Sequence, residues 1–176
     1  VARALPLGSP PVERLAVVAA AMACHRPHRG DLRHAVVIRH ARELIQTFVA
    51  CLPLCSGGGS GSGAGAGARG AREQPRTGRL AARLWPRLSP LPPSRSRIRA
   101  LDTALVVLAD HELATSTLAA RVAASMRADP FLAVLGGLAA MSGALHGRAA
   151  ASAYGLLKAG AAAKSPKEAV AAALSV

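Results

Sequence analysis

Apolar side chains recur every three or four residues through most of this chain, and this spacing limits its folds more than any other feature. Residues spaced in this way share one face of an α-helix, whereas a half-buried strand needs strict alternation. The sequence contains no alternating run long enough for a convincing strand. Alanine, the commonest residue, is also a strong helix former. We therefore predict an all-α fold.

Capping and stop signals place the ends of the helices. Asp31 is a good N-cap, Asp129-Pro130 combines an N-cap with proline at the first helical position, and Ser165 with Glu168 has the form of a capping box. Proline residues such as Pro53 end several segments. The predicted helices cover about residues 12–24, 31–52, 77–88, 98–108, 118–126, 131–145, 148–157 and 169–174.

A stretch rich in Gly, Ser and Ala divides the chain at residues 56–76. Such a composition cannot bury enough apolar surface to offset the entropy lost on ordering. We therefore expect a flexible, disordered linker or insertion here. It separates an N-terminal helical segment, residues 1–55, from a second helical region, residues 77–176.

The charge is strongly asymmetric along the chain. The formal net charge is +13, and residues 1–99 hold 16 arginines against four acids. A basic patch favours nucleic acid, an anionic membrane surface or acidic small molecules. However, Arg, Ala, Gly and Pro together are the usual product of a GC-rich gene, and aromatic residues make up only 2%. A stacking surface for single strands is therefore excluded, and a polyanion-binding helical module is the less favoured alternative.

Cysteine content and hydropathy favour a cytoplasmic chain. Three cysteines cannot form a closed disulfide framework, and no signal peptide is recognisable. The longest uncharged apolar run, Pro130 to Leu145, is too short to span a bilayer. We expect a reduced, cytoplasmic protein without a membrane anchor.

Cysteine and histidine residues in the first half raise the question of a zinc site. The group is Cys24-His25, His28, His34, His40 and Cys51-x3-Cys55. Only the last pair has the ligand spacing of a zinc finger. The alternative is that His34 and His40, with Arg33, Arg39 and Arg42 around them, lie on a solvated basic face. We expect no metal and no cofactor.

Two histidines in the second half are candidates for chemistry. His111 lies between Asp110 and Glu112, which could orient its ring and raise its pKa. His146 lies between an apolar helix and Gly147, where its ring could face a pocket beside the next helix N-terminus. The alternatives are a hydrogen-bonded buried histidine and a helix-terminal cap.

Residues from about Leu84 to Leu157 resemble citrate synthase. The likeness is carried, in the family's order and spacing, by Ala109-Asp110-His111-Glu112, Ser116-Thr117, Ala128-Asp129-Pro130-Phe131 and Leu145-His146-Gly147. The predicted helices at 12–24 and 31–52 also resemble the family's preceding segment. The resemblance implies part of the multi-helix large domain of a homodimer that condenses acetyl-CoA with oxaloacetate.

The resemblance also implies roles for both histidines. His111 would bind the oxaloacetate carboxylate, and His146 would hydrogen-bond the acetyl-CoA carbonyl oxygen as it becomes an enol. The family's Asp base and a further His come later in its sequence, whereas this chain has no Asp after Asp129 and no His after His146. We therefore expect a truncated or divergent member with negligible condensation activity as an isolated chain.

Two further departures lie inside the motifs. Ala114 stands where the family commonly has Asn, and Arg148-Ala149-Ala150 replaces a small residue followed by Ala-Asn. Both changes remove amide side chains near the substrate, and Arg148 adds bulk and charge beside His146.

The resemblance leaves two arrangements of subunits open. The first is a homodimer, and the second is a non-catalytic accessory subunit that pairs with a complete citrate synthase paralogue. In either case we expect the interface on the helices Thr117 to Met126 and Phe131 to Leu145, because their Ala and Gly positions allow close backbone approach.

Overall fold

The structure, a computed structural model, describes residues 4–6, 8–55, 78–110, 112–147, 149–162 and 165–174. These residues contain eight α-helices and no strand, so the predicted all-α class is confirmed. The helices are α1 Pro11–His25, α2 His34–Cys51, α3 Leu80–Leu88, α4 Arg95–Val107, α5 Thr115–Ser125, α6 Pro130–Met141, α7 Ala149–Ala162 and α8 Pro166–Leu174. The predicted linker at 56–76 lies outside the described residues. No described helix is both long and apolar enough to cross a bilayer.

Helix α6 is the centre of the packing, since it contacts α1, α2 and α5. Its N-cap is Asp129, as predicted, and the Asp129 carboxylate accepts the N–H groups of Phe131 at 3.0 Å and Leu132 at 3.1 Å. The cap satisfies two backbone donors that the helix leaves free. It thereby fixes the start of α6, where Phe131 is completely buried.

The hydrophobic core joins residues from both sides of the Gly-rich segment. Its buried members come from α1, α2 and α6, and they are Val18, Ala19, Met22, Ala23, Leu44, Phe131 and Leu138. Burial of such side chains is the main favourable contribution to folding. Helix α6 therefore holds the first two helices and α5 around one core.

Small residues let α5 and α6 approach closely. A Cβ at Gly137 would lie 3.1 Å from the backbone oxygen of Ser116 and 3.4 Å from the Cβ of Ala120. The chain turns between the two helices at Arg127, which has a φ of 61°. We expected the small residues of these two helices at an interface with a partner subunit. In the structure they pack against each other within the chain.

Helix α3 packs on α4 and is hydrogen-bonded to the end of α2. The Arg83 guanidinium donates to the side-chain oxygen of Gln46, and Arg87 donates to the carbonyl oxygen of Leu52. The backbone N–H of Cys55 donates to the carbonyl oxygen of Pro86 at 2.9 Å. Burial, followed by the nearby Arg83 charge, lowers the pKa of Arg87. These bonds connect the segment before the Gly-rich stretch to the region after it.

The predicted start of α2 and the predicted end of α6 are wrong. Helix α2 has Arg33 rather than Asp31 as its N-cap residue. Asp31 instead accepts the Arg33 backbone N–H at 3.0 Å and pairs with its guanidinium at 2.6 Å, which lowers the pKa of Asp31 to about 2. Helix α6 ends at Met141 rather than Leu145, because residues 142–147 form consecutive turns.

Other helices also differ from their predicted bounds, and α4, α5 and α8 each begin three residues earlier than predicted. The described part of α3 starts at Leu80, after Gly78 and Arg79, rather than at Thr77. Helix α7 continues to Ala162 instead of ending at Leu157. Three of its last five residues are alanine, which continues a helix readily.

The structure buries one residue of the face predicted to be solvated, and it exposes an apolar stripe on α5. His40 does not lie on a solvated face: it is 3% exposed, and its ring centre lies 5.1 Å from that of Phe131. The stripe of Leu118, Val122 and Met126 on α5 is 50%, 57% and 80% exposed. Periodicity identified the faces of both helices, but it could not show what covers each face.

Candidate active site

His146 lies in a series of tight turns between α6 and α7. Its backbone N–H donates to the carbonyl oxygen of Gly143 at 3.1 Å, and its own carbonyl oxygen accepts the N–H of Ala149 at 3.1 Å. The backbone on both sides of His146 is therefore held by hydrogen bonds, one of which begins α7. The side chain is half-buried, whereas the adjacent Leu145 is 99% exposed.

Gly147 makes this turn possible. Its N–H donates to the carbonyl oxygen of Met141 at 3.0 Å. A Cβ at Gly147 would lie only 2.2 Å from that same oxygen. Because the oxygen belongs to the backbone at the end of α6, it cannot rotate away as a flexible side chain could. The close approach therefore requires glycine.

The imidazole of His146 is hydrogen-bonded to α5. Its Nε2 lies 2.9 Å from the hydroxyl oxygen of Ser116, which is the second residue of that helix. Nδ1 of His146 has no hydrogen-bond partner among the described residues. The ring is thus fixed at one nitrogen and leaves the other for a ligand.

This bond is linked to the packing of α5 on α6. The backbone oxygen of Ser116 faces Gly137, and its hydroxyl faces His146. Ser116 and His146 are 30 residues apart, so the sequence pattern gave no sign of their contact. Ser116 belongs to a motif quoted above, but its position alone assigned it no role.

The bond can also select the tautomer of the neutral ring. When the Ser116 hydroxyl donates to Nε2, a neutral His146 carries its proton on Nδ1 and can donate it to an acceptor on a substrate. In the opposite arrangement Nδ1 is itself an acceptor. The geometry therefore allows a neutral histidine to act as a hydrogen-bond donor.

His111 and Arg148 lie outside the described residues. Next to position 111, Asp110 accepts the backbone N–H of Glu112 at 2.9 Å, and Glu112 has a φ of 48°. This geometry is an Asx-type turn between α4 and α5. Ala114 follows as the N-cap residue of α5 and provides no side-chain cap, which an Asn at this position could supply.

Two of the three cysteines donate hydrogen bonds to backbone carbonyl groups. Cys51 donates to the carbonyl oxygen of Phe48 at 3.1 Å, and Cys55 donates to that of Arg87 at 3.2 Å. Burial raises the pKa of the Cys51 thiol, although Arg14 and Arg87 act in the opposite direction. Cys24 is exposed. Within the described ranges, no three His, Cys, Asp or Glu side chains converge in a group that could hold a metal ion.

Comparison with known proteins matches the whole chain to one family. The family model described as "Citrate synthase, C-terminal domain" covers residues 1–176. The chain is 45% identical to the citrate synthase of Saccharolobus solfataricus over 62 residues, which are 35% of this chain and 16% of that protein. The chain is also 42% identical to the citrate synthase of Thermoplasma acidophilum over 60 residues, which are 34% of this chain and 16% of that protein.

A third relative gives a similar picture. The citrate synthase of Mycolicibacterium smegmatis is 38% identical over 71 residues, which are 40% of this chain and 19% of that protein. In all three comparisons the matched stretch spans less than a fifth of the relative.

Proposed function

The chain belongs to the citrate synthase family, and from this premise we propose that it takes part in the condensation of acetyl-CoA with oxaloacetate. His146 is the catalytic residue of the proposal. The observation that carries it is the 2.9 Å contact between Nε2 of His146 and the Ser116 hydroxyl. This contact leaves Nδ1 available to the thioester carbonyl oxygen of acetyl-CoA.

The chemistry explains why such a donor is needed. Removing a proton from the methyl group of a thioester places negative charge on the carbonyl oxygen, and a fixed donor at that oxygen stabilises the charge as it develops. A base must act on the methyl carbon at the same time. His146 supplies the donor, and this sequence has no aspartate and no further histidine after it.

His111 is proposed to bind a carboxylate of oxaloacetate. The support is the family resemblance of Asp110-His111-Glu112 and its position shortly before α5, the helix that carries Ser116. In the Asx-type turn, the Asp110 carboxylate already accepts the backbone N–H of Glu112. Asp110 is therefore assigned to the turn rather than to the substrate.

Replacing His146 by alanine is expected to lower kcat for oxaloacetate-dependent release of coenzyme A by about 10²- to 10³-fold, the usual effect of removing one donor to a developing oxyanion. The measurement uses the protein as it is produced in its own cells. Ser116→Ala should lower the rate by about fivefold, since it removes one hydrogen bond of about 1 kcal/mol and frees the ring. ¹⁵N NMR of the wild-type imidazole should show the proton of the neutral ring on Nδ1.

Two control variants separate these effects from general damage. His34→Ala changes an exposed histidine at the start of α2, and Ser125→Ala removes a serine whose hydroxyl bonds only the carbonyl oxygen of Val122 in its own helix. Neither should change kcat. Full activity of the His146→Ala protein, or a wild-type ring protonated on Nε2, would contradict the proposed role.

We propose that the partner subunit is a second copy of this chain, bound through α5. The outward face of α5 exposes Leu118, Val122 and Met126, which lie one turn apart along the helix. A contiguous exposed apolar stripe of this kind is typical of an interaction surface. The small residues of α6 are already used within the chain, so the proposed contact depends on α5.

Introducing a charge into this stripe should prevent dimer formation. We expect Val122→Glu to convert a dimer into a monomer in sedimentation velocity experiments, because a carboxylate would lose its hydration at the interface. Arg121→Gln, at the adjacent exposed position, is the control and should leave the dimer intact. A wild-type chain that is monomeric at high concentration would refute the proposal. Co-purification with a longer paralogue would instead favour the accessory-subunit alternative.

A further inference from the structure

A groove lies between the start of α3 and the first half of α4. Its volume is about 740 Å³, which is within the usual range for small-molecule sites. Its described lining residues include none of those assigned to the condensation. It is lined by Arg79, Pro93, Ser94, Arg95, Ile98, Arg99, Asp102 and Thr103.

Positive charge is in excess in this groove. Among its described lining residues, three are arginines and one, Asp102, is acidic; the Asp102 carboxylate pairs with Arg79 at 3.6 Å. Arg95 and Arg99 form no ion pair with any described residue. Two cationic side chains therefore remain for an anion from outside the chain.

The position of these arginines is locally unfavourable. The positive end of a helix dipole normally attracts acidic residues, yet the first turn of α4 has none and begins with Arg95. Residues that are unfavourable for the helix in which they lie are expected mainly at functional sites. A bound anion would reverse the unfavourable interaction.

The arrangement also indicates the kind of anion. Arg95 and Arg99 are one helical turn apart, about 6 Å along the axis, so a ligand with at least two anionic groups can contact both. The planar guanidinium fork matches the oxygen atoms of phosphate. No aromatic side chain is among the described lining residues of the groove, which argues against a surface for stacking nucleic-acid bases. We propose that this groove binds a small anion with two or more phosphate groups.

The test measures the binding of inorganic triphosphate to the full chain by calorimetry. Trp85, the single tryptophan, provides a second readout, because its ring N–H donates to the carbonyl oxygen of Leu91 at 2.8 Å just before the groove. We expect saturable binding that weakens as salt rises, and orthophosphate should bind at least tenfold more weakly. The double variant Arg95→Gln with Arg99→Gln should bind triphosphate at least tenfold more weakly.

A second double variant controls for net charge. Arg39→Gln with Arg42→Gln removes the same two charges from exposed positions on α2 and should change the affinity less than twofold. Asp102→Asn removes the only carboxylate among the described lining residues and should tighten binding several-fold. Circular dichroism should show unchanged helix content in the groove variant, since glutamine is also a good helix former.

Three results would overturn the proposal. They are no saturable binding of triphosphate, equal losses in the two double variants, or stronger binding of a single-stranded RNA than of triphosphate at equal phosphate concentration. A nucleoside triphosphate distinguishes two sources of the same chemistry. If the nucleoside triphosphate binds with the same affinity as inorganic triphosphate, the groove recognises the phosphates alone. If it binds more tightly, the groove also contacts the nucleoside. Both of these results support the site, and neither depends on condensation activity.

Discussion

Replacing Phe131 by alanine is expected to lower the free energy of unfolding by about 3–5 kcal/mol, the usual cost of removing a buried aromatic ring. Phe131 is completely buried where α6 meets α1 and α2, and its ring contacts the buried ring of His40. Natural domains are stable by about 5–15 kcal/mol, so this single change removes a large part of the total. Urea denaturation followed by circular dichroism measures the loss.

The next residue in the same helix provides the control. Leu132 is 40% exposed, and Leu132→Ala should cost about 1 kcal/mol, because little apolar surface leaves the core. If the two variants were destabilised equally, the proposed centre of packing at Phe131 would be incorrect.

Replacing Gly147 by alanine should have a large effect on the site as well as on stability. The added Cβ would lie 2.2 Å from the carbonyl oxygen of Met141, so the hydrogen bond between Gly147 and Met141 must break. We expect a loss of about 1–3 kcal/mol in stability, as for other overpacked sites. Displacement of His146 from Ser116 should also lower kcat of the cellular protein by about 10²-fold.

A glycine in α7 offers a matched comparison. Gly155 has no atom within 4 Å of the position a Cβ would take. Gly155→Ala should therefore stabilise the protein by about 0.5–1 kcal/mol through improved helix propensity, without changing kcat. A Gly147→Ala protein with normal stability and an intact contact between His146 and Ser116 would show that the turn adapts.

Local signals predicted the fold class and several helix ends. Asp129 followed by Pro130 determines the start of α6 within a few residues, so the sequence alone locates it. The error at Asp31 has a different origin, because its carboxylate bonds Arg33 two residues away instead of capping a later helical N–H. A good cap residue therefore identifies a turn near a helix start, but not which backbone donor it satisfies.

Contacts between distant residues could not be predicted in this way. His146 was a candidate because of its position beside Gly147, whereas Ser116 became part of the site only when α5 and α6 packed together. His40 shows the same limit. Its arginine neighbours in sequence suggested an exposed face, and only the position of Phe131 in three dimensions places its ring in the core.

The two adjacent glycines of α6 have unequal tolerance to mutation. Every base substitution that changes the amino acid of a glycine codon introduces a side chain or a stop. At Gly136 a Cβ has ordinary van der Waals distances of 3.8 and 3.9 Å to α5, whereas at Gly137 it would lie 3.1 Å from the backbone oxygen of Ser116. New alleles at codon 136 can therefore persist as small changes in packing. A side chain at position 137 would displace Ser116, whose hydroxyl contacts His146. Selection on the active site would therefore extend to Gly137, which has no polar side chain.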